Sequence, residues 1–89
     1  MPSVIIPPPY RGPTRGKAEI TVAADTLRGC IMAVEEQHPG FGELVFAPNG
    51  TVHRYVTLFL NGEVVDPTEI DRAVVEDDAV EVLAAIAGG

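Results

Sequence analysis

Glu81-Val82-Leu83-Ala84-Ala85-Ile86-Ala87-Gly88-Gly89 combines two signals that seldom occur together. Val80 and Val82 alternate with Glu81 and Leu83, the period of two that marks a half-buried strand. That strand runs, with no turn between, into a diglycine. Lacking Cβ atoms, Gly88 and Gly89 adopt backbone angles closed to other residues and form a thin segment able to thread a narrow channel. They also leave the carbonyl of Gly89 open to nucleophiles. Its carboxylate, with an unperturbed pKa near ~3.5, is ionised at neutral pH and is the one reactive group this end offers. These are the requirements for a group that another enzyme is to activate. A frayed terminus is the plain alternative and describes most chain ends. The rest of the chain must decide.

Working back, the segment 55–60 is the clearest strand, and Asn61-Gly62 then Glu63-Val64-Val65 complete a hairpin signal. Asp66-Pro67-Thr68 turns the chain, residues 70–74 fit one helical turn, and Glu76-Asp77-Asp78 is a solvated acidic turn before a last strand at 79–83. Residues 41–46 read as a short, irregular apolar strand followed by the turn Ala47-Pro48-Asn49-Gly50. Leu27, Cys30, Ile31 and Val34 recur at i, i+3, i+4 and i+7, so a helix spans roughly 26–38 with Asp25 as its N-cap and Pro39-Gly40 as its stop. Near the start, Ser3-Val4-Ile5-Ile6 is a short strand ended by Pro7-Pro8-Pro9, a rigid turn. Residues 17–22 alternate as its hairpin partner.

The order is therefore strand, strand, helix, strand, short strand, strand, with the first two and the last two strands as hairpins. One mixed sheet of four or five strands, covered on one face by the helix, satisfies this order. Its first and last strands lie side by side at the centre, and the chain forms one α+β domain over residues 1–89. The core is expected at Leu27, Ile31, Val34, Val56, Leu58, Val80 and Val82, with a flexible tail over 84–89.

A chain of 89 residues buries only roughly 60–65% of its unfolded surface, so it has one core. Net charge is −7, from 13 acidic and 6 basic residues, which disfavours nucleic acid and anionic membrane as partners and favours a protein with a basic docking face. The single cysteine, Cys30, excludes an internal disulfide and fits a reducing cytoplasm; it reads as a buried structural thiol. No apolar run approaches a ~20-residue membrane span, and no secretory leader is evident.

Catalytic constellations are missing. His38 and His53 have no cysteine cluster beside them, so no metal site is expected. Glu76-Asp77-Asp78 lacks the spacing of a calcium loop, and phosphate-binding glycine motifs are absent. The sheet's outer face is more informative. If Val56, Leu58 and Leu60 face the helix, then Tyr55, Thr57 and Phe59 face outward, joined by Leu83 on the last strand. Tyr55, Phe59 and Leu83 would form an exposed apolar patch leading toward Ile86, the signature of a protein interface. The opposite phase, with both aromatics buried, stays open from sequence alone.

The Asp25-Thr26-Leu27 helix start, the strand and Asn-Gly turn over 55–62, and the ending over 79–89 together resemble the ThiS/MoaD-type sulfur carriers. The likeness spans nearly the whole chain; no single motif is specific, but their order before Gly-Gly is. It implies a ubiquitin-like β-grasp fold. His53-Arg54-Tyr55-Val56 and Ile86-Ala87-Gly88-Gly89 are most similar to the carriers of a cysteine-biosynthesis route. Molybdopterin carriers usually have an aromatic-proline run where this chain has Leu83-Ala84-Ala85. The resemblance implies a carrier that binds no cofactor and is not itself an enzyme. A ubiquitin-activating-type enzyme would use ATP to adenylate Gly89, presented on the tail Ile86, Ala87, Gly88, and sulfur would enter as a thiocarboxylate. The acceptor would be a cysteine synthase or the large subunit of molybdopterin synthase, and a zinc metallopeptidase could release the product. A thiamine-pathway carrier and a ubiquitin-like modifier of lysines remain alternatives.

Overall fold

The computed structural model describes residues 1–85; the tail residues Ile86, Ala87, Gly88 and Gly89 lie outside the described residues. The elements are β1 (Ser3–Ile5), β2 (Glu19–Thr21), α1 (Leu27–Gln37), α2 (Gly42–Val45), β3 (Val56–Leu60), β4 (Glu63–Val65) and β5 (Ala79–Ala84). The five strands form one sheet in the order β2-β1-β5-β3-β4. β1 and β5 are parallel at its centre, and every other pairing is antiparallel. Parallel neighbours need a long crossover, which the segment carrying α1 supplies. This is the ubiquitin-like β-grasp, an α+β fold. The topology departs from expectation at one point: the final two strands are no hairpin, because β4 pairs with β3 at the edge and β5 is inserted between β1 and β3. β3 buries alternate side chains and has two neighbours to satisfy its backbone, whereas β4 is three residues long.

Alternation puts Val56, Leu58 and Leu60 of β3 and Val80 and Val82 of β5 on the face covered by α1, together with Val4 and Ile20. Against them α1 presents Leu27, Cys30, Ile31 and Val34, all fully buried. All seven expected core residues lie inside. Burial pushes the Cys30 thiol up to about 11, and the carboxylates of Asp78 and Asp25 add to the shift. At neutral pH it is a protonated, enclosed thiol.

Thr26, not Asp25, caps α1: its extended backbone lets Oγ1 accept the N–H of Gly29 at 2.9 Å. A side chain at Gly29 would meet that hydroxyl, since a Cβ there would stand 2.9 Å from it. Arg28 ties this end to two loops. Its Nε donates to Asp71 at 2.8 Å, Nη1 donates to the Gly50 carbonyl at 2.8 Å, and the guanidinium lies 5.2 Å from the Phe46 ring centre.

Residues 41–46 are not a strand. Gly42–Val45 is one helical turn, with Phe41, Val45 and Phe46 buried, and only Phe46 makes a β-bridge, to Val52. The cause is the Glu35 carboxylate, which accepts the N–H groups of Gly40 at 3.0 Å and Gly42 at 2.9 Å and so bends the chain straight off α1. The expected helical turn at 70–74 is also displaced, to the 3₁₀ turn Pro67–Glu69, capped by Asp66. Beyond it Ala73 bridges to Thr26 and Ile70 and Val74 are buried. At the C-terminal end, the first two residues of the tail expected over 84–89 are held by the sheet. Ala84 belongs to β5, opposite Val56, and the Ala85 N–H donates to the Tyr55 carbonyl at 2.8 Å.

Candidate functional site, the outer sheet face and the root of the tail

The face of the sheet turned away from α1 is built by the odd-numbered residues of β3 and β5. Register places Thr57 opposite Leu83 and Phe59 opposite Glu81, so Leu83 lies diagonal to both Tyr55 and Phe59. Tyr55 is 50% exposed and Leu83 48%, while Phe59 is half-buried. The phase expected from sequence is therefore the phase adopted. Across the hairpin, Val64 pairs with Phe59 and is 68% exposed, extending the apolar strip to the sheet edge. Toward the other edge, Ile5 pairs with Glu81 and Glu19, so two carboxylates flank a half-buried isoleucine.

The upper end of this strip is stiffened by His53. Its ring stacks on Tyr55, with centroids 4.9 Å apart and planes 11° from parallel. Its Nε2 lies 3.1 Å from the Glu43 carbonyl, which can only accept, so in this bond the ring is the donor. The Ala85 N–H bonds to the Tyr55 carbonyl, so the last described residue is held beside the stacked pair. Beyond His53 lies a shallow, mainly apolar hollow of about 760 Å³, lined by Met32, Leu44, Phe46 and Pro48. Glu35, also at its wall, is already engaged by Gly40 and Gly42.

Two further clamps fix β5. Asn61 and Gly62 have φ of 52° and 86°, the left-handed pair that a two-residue hairpin turn requires. The Asn61 amide then donates to Asp78 Oδ1 at 2.8 Å and accepts the Ala79 N–H at 2.9 Å. Asp78 Oδ2 accepts the Val75 N–H at 2.8 Å; this bond and that from Asn61 hold the Asp78 carboxyl below its ordinary range. The turn that joins β3 to β4 thus also sets where β5 begins.

Tyr55, Phe59 and Leu83 are brought together on one face, whereas Ile86, Ala87, Gly88 and Gly89 lie outside the described residues. Val64 and His53 were missed by sequence reasoning. Pairing outward-facing Phe59 across Asn61-Gly62 points to Val64, and extending the period of two back from Tyr55 reaches His53. Among the described residues, no group of three or more His, Cys, Asp or Glu is placed to hold a metal ion, and no helix is long and apolar enough to cross a membrane.

An exposed apolar strip beside the root of a diglycine tail, on a β-grasp body, defines a ubiquitin-like carrier domain. Residues 12–89 match the ThiS family, and the chain belongs to that family of ubiquitin-like sulfur carriers. It is similar to Mycobacterium tuberculosis CysO, at 29% identity over 97% of this chain and 100% of that one, with a TM-score of 0.88. It is also similar to a chain of the Amycolatopsis orientalis BexX/CysO complex, at 27% identity over the full length of both and a TM-score of 0.89. Haloferax volcanii small archaeal modifier protein 1 shares the fold, at 18% identity over 99% of this chain and 98% of that one and a TM-score of 0.78. No curated protein sequence matches the chain significantly.

Proposed function

We propose that this chain carries sulfur on the carboxylate of Gly89, in a pathway that makes cysteine. The observation that carries the reading is the ThiS-family match, which runs through the diglycine to residue 89. In the proposed cycle an activating enzyme binds the strip around Tyr55, Phe59 and Leu83 and takes the tail into its active site. The Gly89 carboxylate attacks the α-phosphorus of ATP and pyrophosphate leaves. A sulfide-equivalent donor then displaces AMP from the acyl adenylate, giving a thiocarboxylate. Splitting one difficult acyl substitution into two replaces a poor leaving group by a good one. The carrier supplies the carboxyl group, the reach and the docking face; it performs no catalysis. That a chain so similar was solved in the BexX/CysO complex supports a partner-bound mode of work.

For the cysteine route, the thiocarboxylate sulfur attacks an activated serine-derived acceptor and expels its leaving group. The thioester formed passes its acyl group from sulfur to the amine, leaving a cysteine in amide linkage on Gly89. Hydrolysis by a zinc metallopeptidase would release that cysteine and restore the carrier. The test is the intact mass of protein purified from its native cell, followed by incubation of the thiocarboxylate with candidate acceptors and a cysteine synthase. Sulfur in place of one oxygen, then a cysteine adduct, is the expected pair of results. Sulfur passed to a molybdopterin or thiazole precursor would redirect the pathway. Recovery of lysine conjugates with no sulfur-bearing form would overturn the carrier reading in favour of a modifier.

A further inference from the structure

In a chain of net charge −7, three of the six basic residues fall within positions 11–17. The fold turns part of that run into a site. β1 ends at Ile5, the Ile6 N–H bonds to Ala18, and the loop between them turns back through Arg15 and Gly16, whose φ values of 56° and 83° are both left-handed. Thr14, fully buried, pins this loop by donating to the Lys17 carbonyl at 2.9 Å. Pro13 lies against the turn that follows α1: a Cβ on Gly40 would be 3.6 Å from its ring. Together Pro13, Arg15, Lys17, Gln37, His38 and Pro39 enclose a polar hollow of about 450 Å³. Because β1 and β5 are parallel, this hollow stands at the end of the sheet where β5 runs out at Ala84.

Arg15 and Lys17 are exposed, and neither side chain has a hydrogen bond or ion pair among the described residues. We propose that this hollow is an acceptor site for a carboxylate-rich segment of a partner protein, orienting the carrier with its tail end toward that partner. A small phosphate is the weaker candidate. The N–H groups of Arg15, Gly16 and Lys17 are spent on the carbonyls of Gly12, Arg11 and Thr14, so no backbone donors of this run remain to cradle one. What is left is long, mobile cationic side chains on a fixed loop, which favour rapid, oriented encounter over tight capture of a small ion. Nucleic acid is disfavoured by the acidic remainder of the surface. The inference assumes nothing about the chemistry at Gly89, so its failure would leave the carrier reading untouched.

The test titrates a hexaglutamate peptide into the full chain at low ionic strength and follows backbone amide NMR shifts, with inorganic phosphate and a short single-stranded oligonucleotide as parallel probes. Saturable shifts confined to residues 13–17 and 37–40, lost in added salt, are expected. Arg15→Asn with Lys17→Gln should weaken the peptide several-fold while the remaining spectrum stays native, since Asn tolerates the left-handed backbone at 15. Absent shifts, shifts elsewhere, an unchanged response in the double variant, or phosphate or oligonucleotide binding there as well as the peptide would overturn the proposal.

Discussion

Single side chains on this molecule divide cleanly between those that hold the fold and those left for a partner. Phe59 is half-buried on the outer face and its neighbours Leu83 and Val64 are exposed, so Phe59→Ala removes contact area without opening the core. It should weaken binding to the activating enzyme by ~1–2 kcal/mol, a typical cost for an aromatic at an interface centre, with the circular dichroism spectrum unchanged. Unchanged affinity in a titration would remove Phe59 from the interface. Gly88→Val places a branched side chain on the segment that, in the proposed cycle, enters the activating enzyme, so it should abolish ATP–pyrophosphate exchange while the melting temperature holds. Cys30 is the converse case. Enclosed and protonated, it should resist iodoacetamide in the native protein and react rapidly once denaturant is added; fast native labelling would show that the α1 face opens.

At the scale of the element, α1 and β3 together supply seven buried core residues. Leu58→Ala should cost about 2–5 kcal/mol in denaturant melts, because the site is enclosed by both sheet neighbours and helix. Thr26→Ala should cost ~1 kcal/mol through loss of the cap to Gly29, whereas Asp25→Ala should cost less, since Asp25 does not cap the helix. These two elements were legible in the sequence because each repeats its own period over several residues: Leu27, Cys30, Ile31 and Val34 for the helix, and Val56, Leu58 and Leu60 for the strand. Residues 41–46 were not. Phe41, Val45 and Phe46 suit a strand as well as a helical turn, and the choice is made by Glu35, whose carboxylate reaches Gly40 and Gly42 through a geometry that no local pattern records. The turn near 70 was misplaced for a related reason, since Asp66 starts it early and Ala73 is then drawn to Thr26. In the candidate site, the outward set Tyr55, Phe59 and Leu83 followed from alternation, but Val64 required knowing the hairpin register.

For the molecule as a whole, two capped carboxylates make stability sensitive to acid. The N–H and hydroxyl of Thr68 hold Asp66 below its ordinary carboxylate range, and Val75 and Asn61 do the same for Asp78. A carboxyl whose folded pKa lies below its unfolded one adds stability that is complete above the unfolded value, about 3.9, and disappears as pH falls through the folded value. Stability should therefore hold from neutrality down to about pH 4 and fall beneath it, and Asp78→Asn should flatten that fall. An identical acid limb in the variant would show that Asp78 contributes nothing to it. The hydrogen bond from Ala85 to Tyr55 bears on the whole molecule in another way. It is a fixed mooring, and four residues of cable follow it in the sequence. Fully paid out, they span at most ~14 Å. Any catalyst that works on Gly89 must hold its reacting atoms within that radius of the end of β5, so the hull has to berth against the active-site mouth before the cargo can be handled.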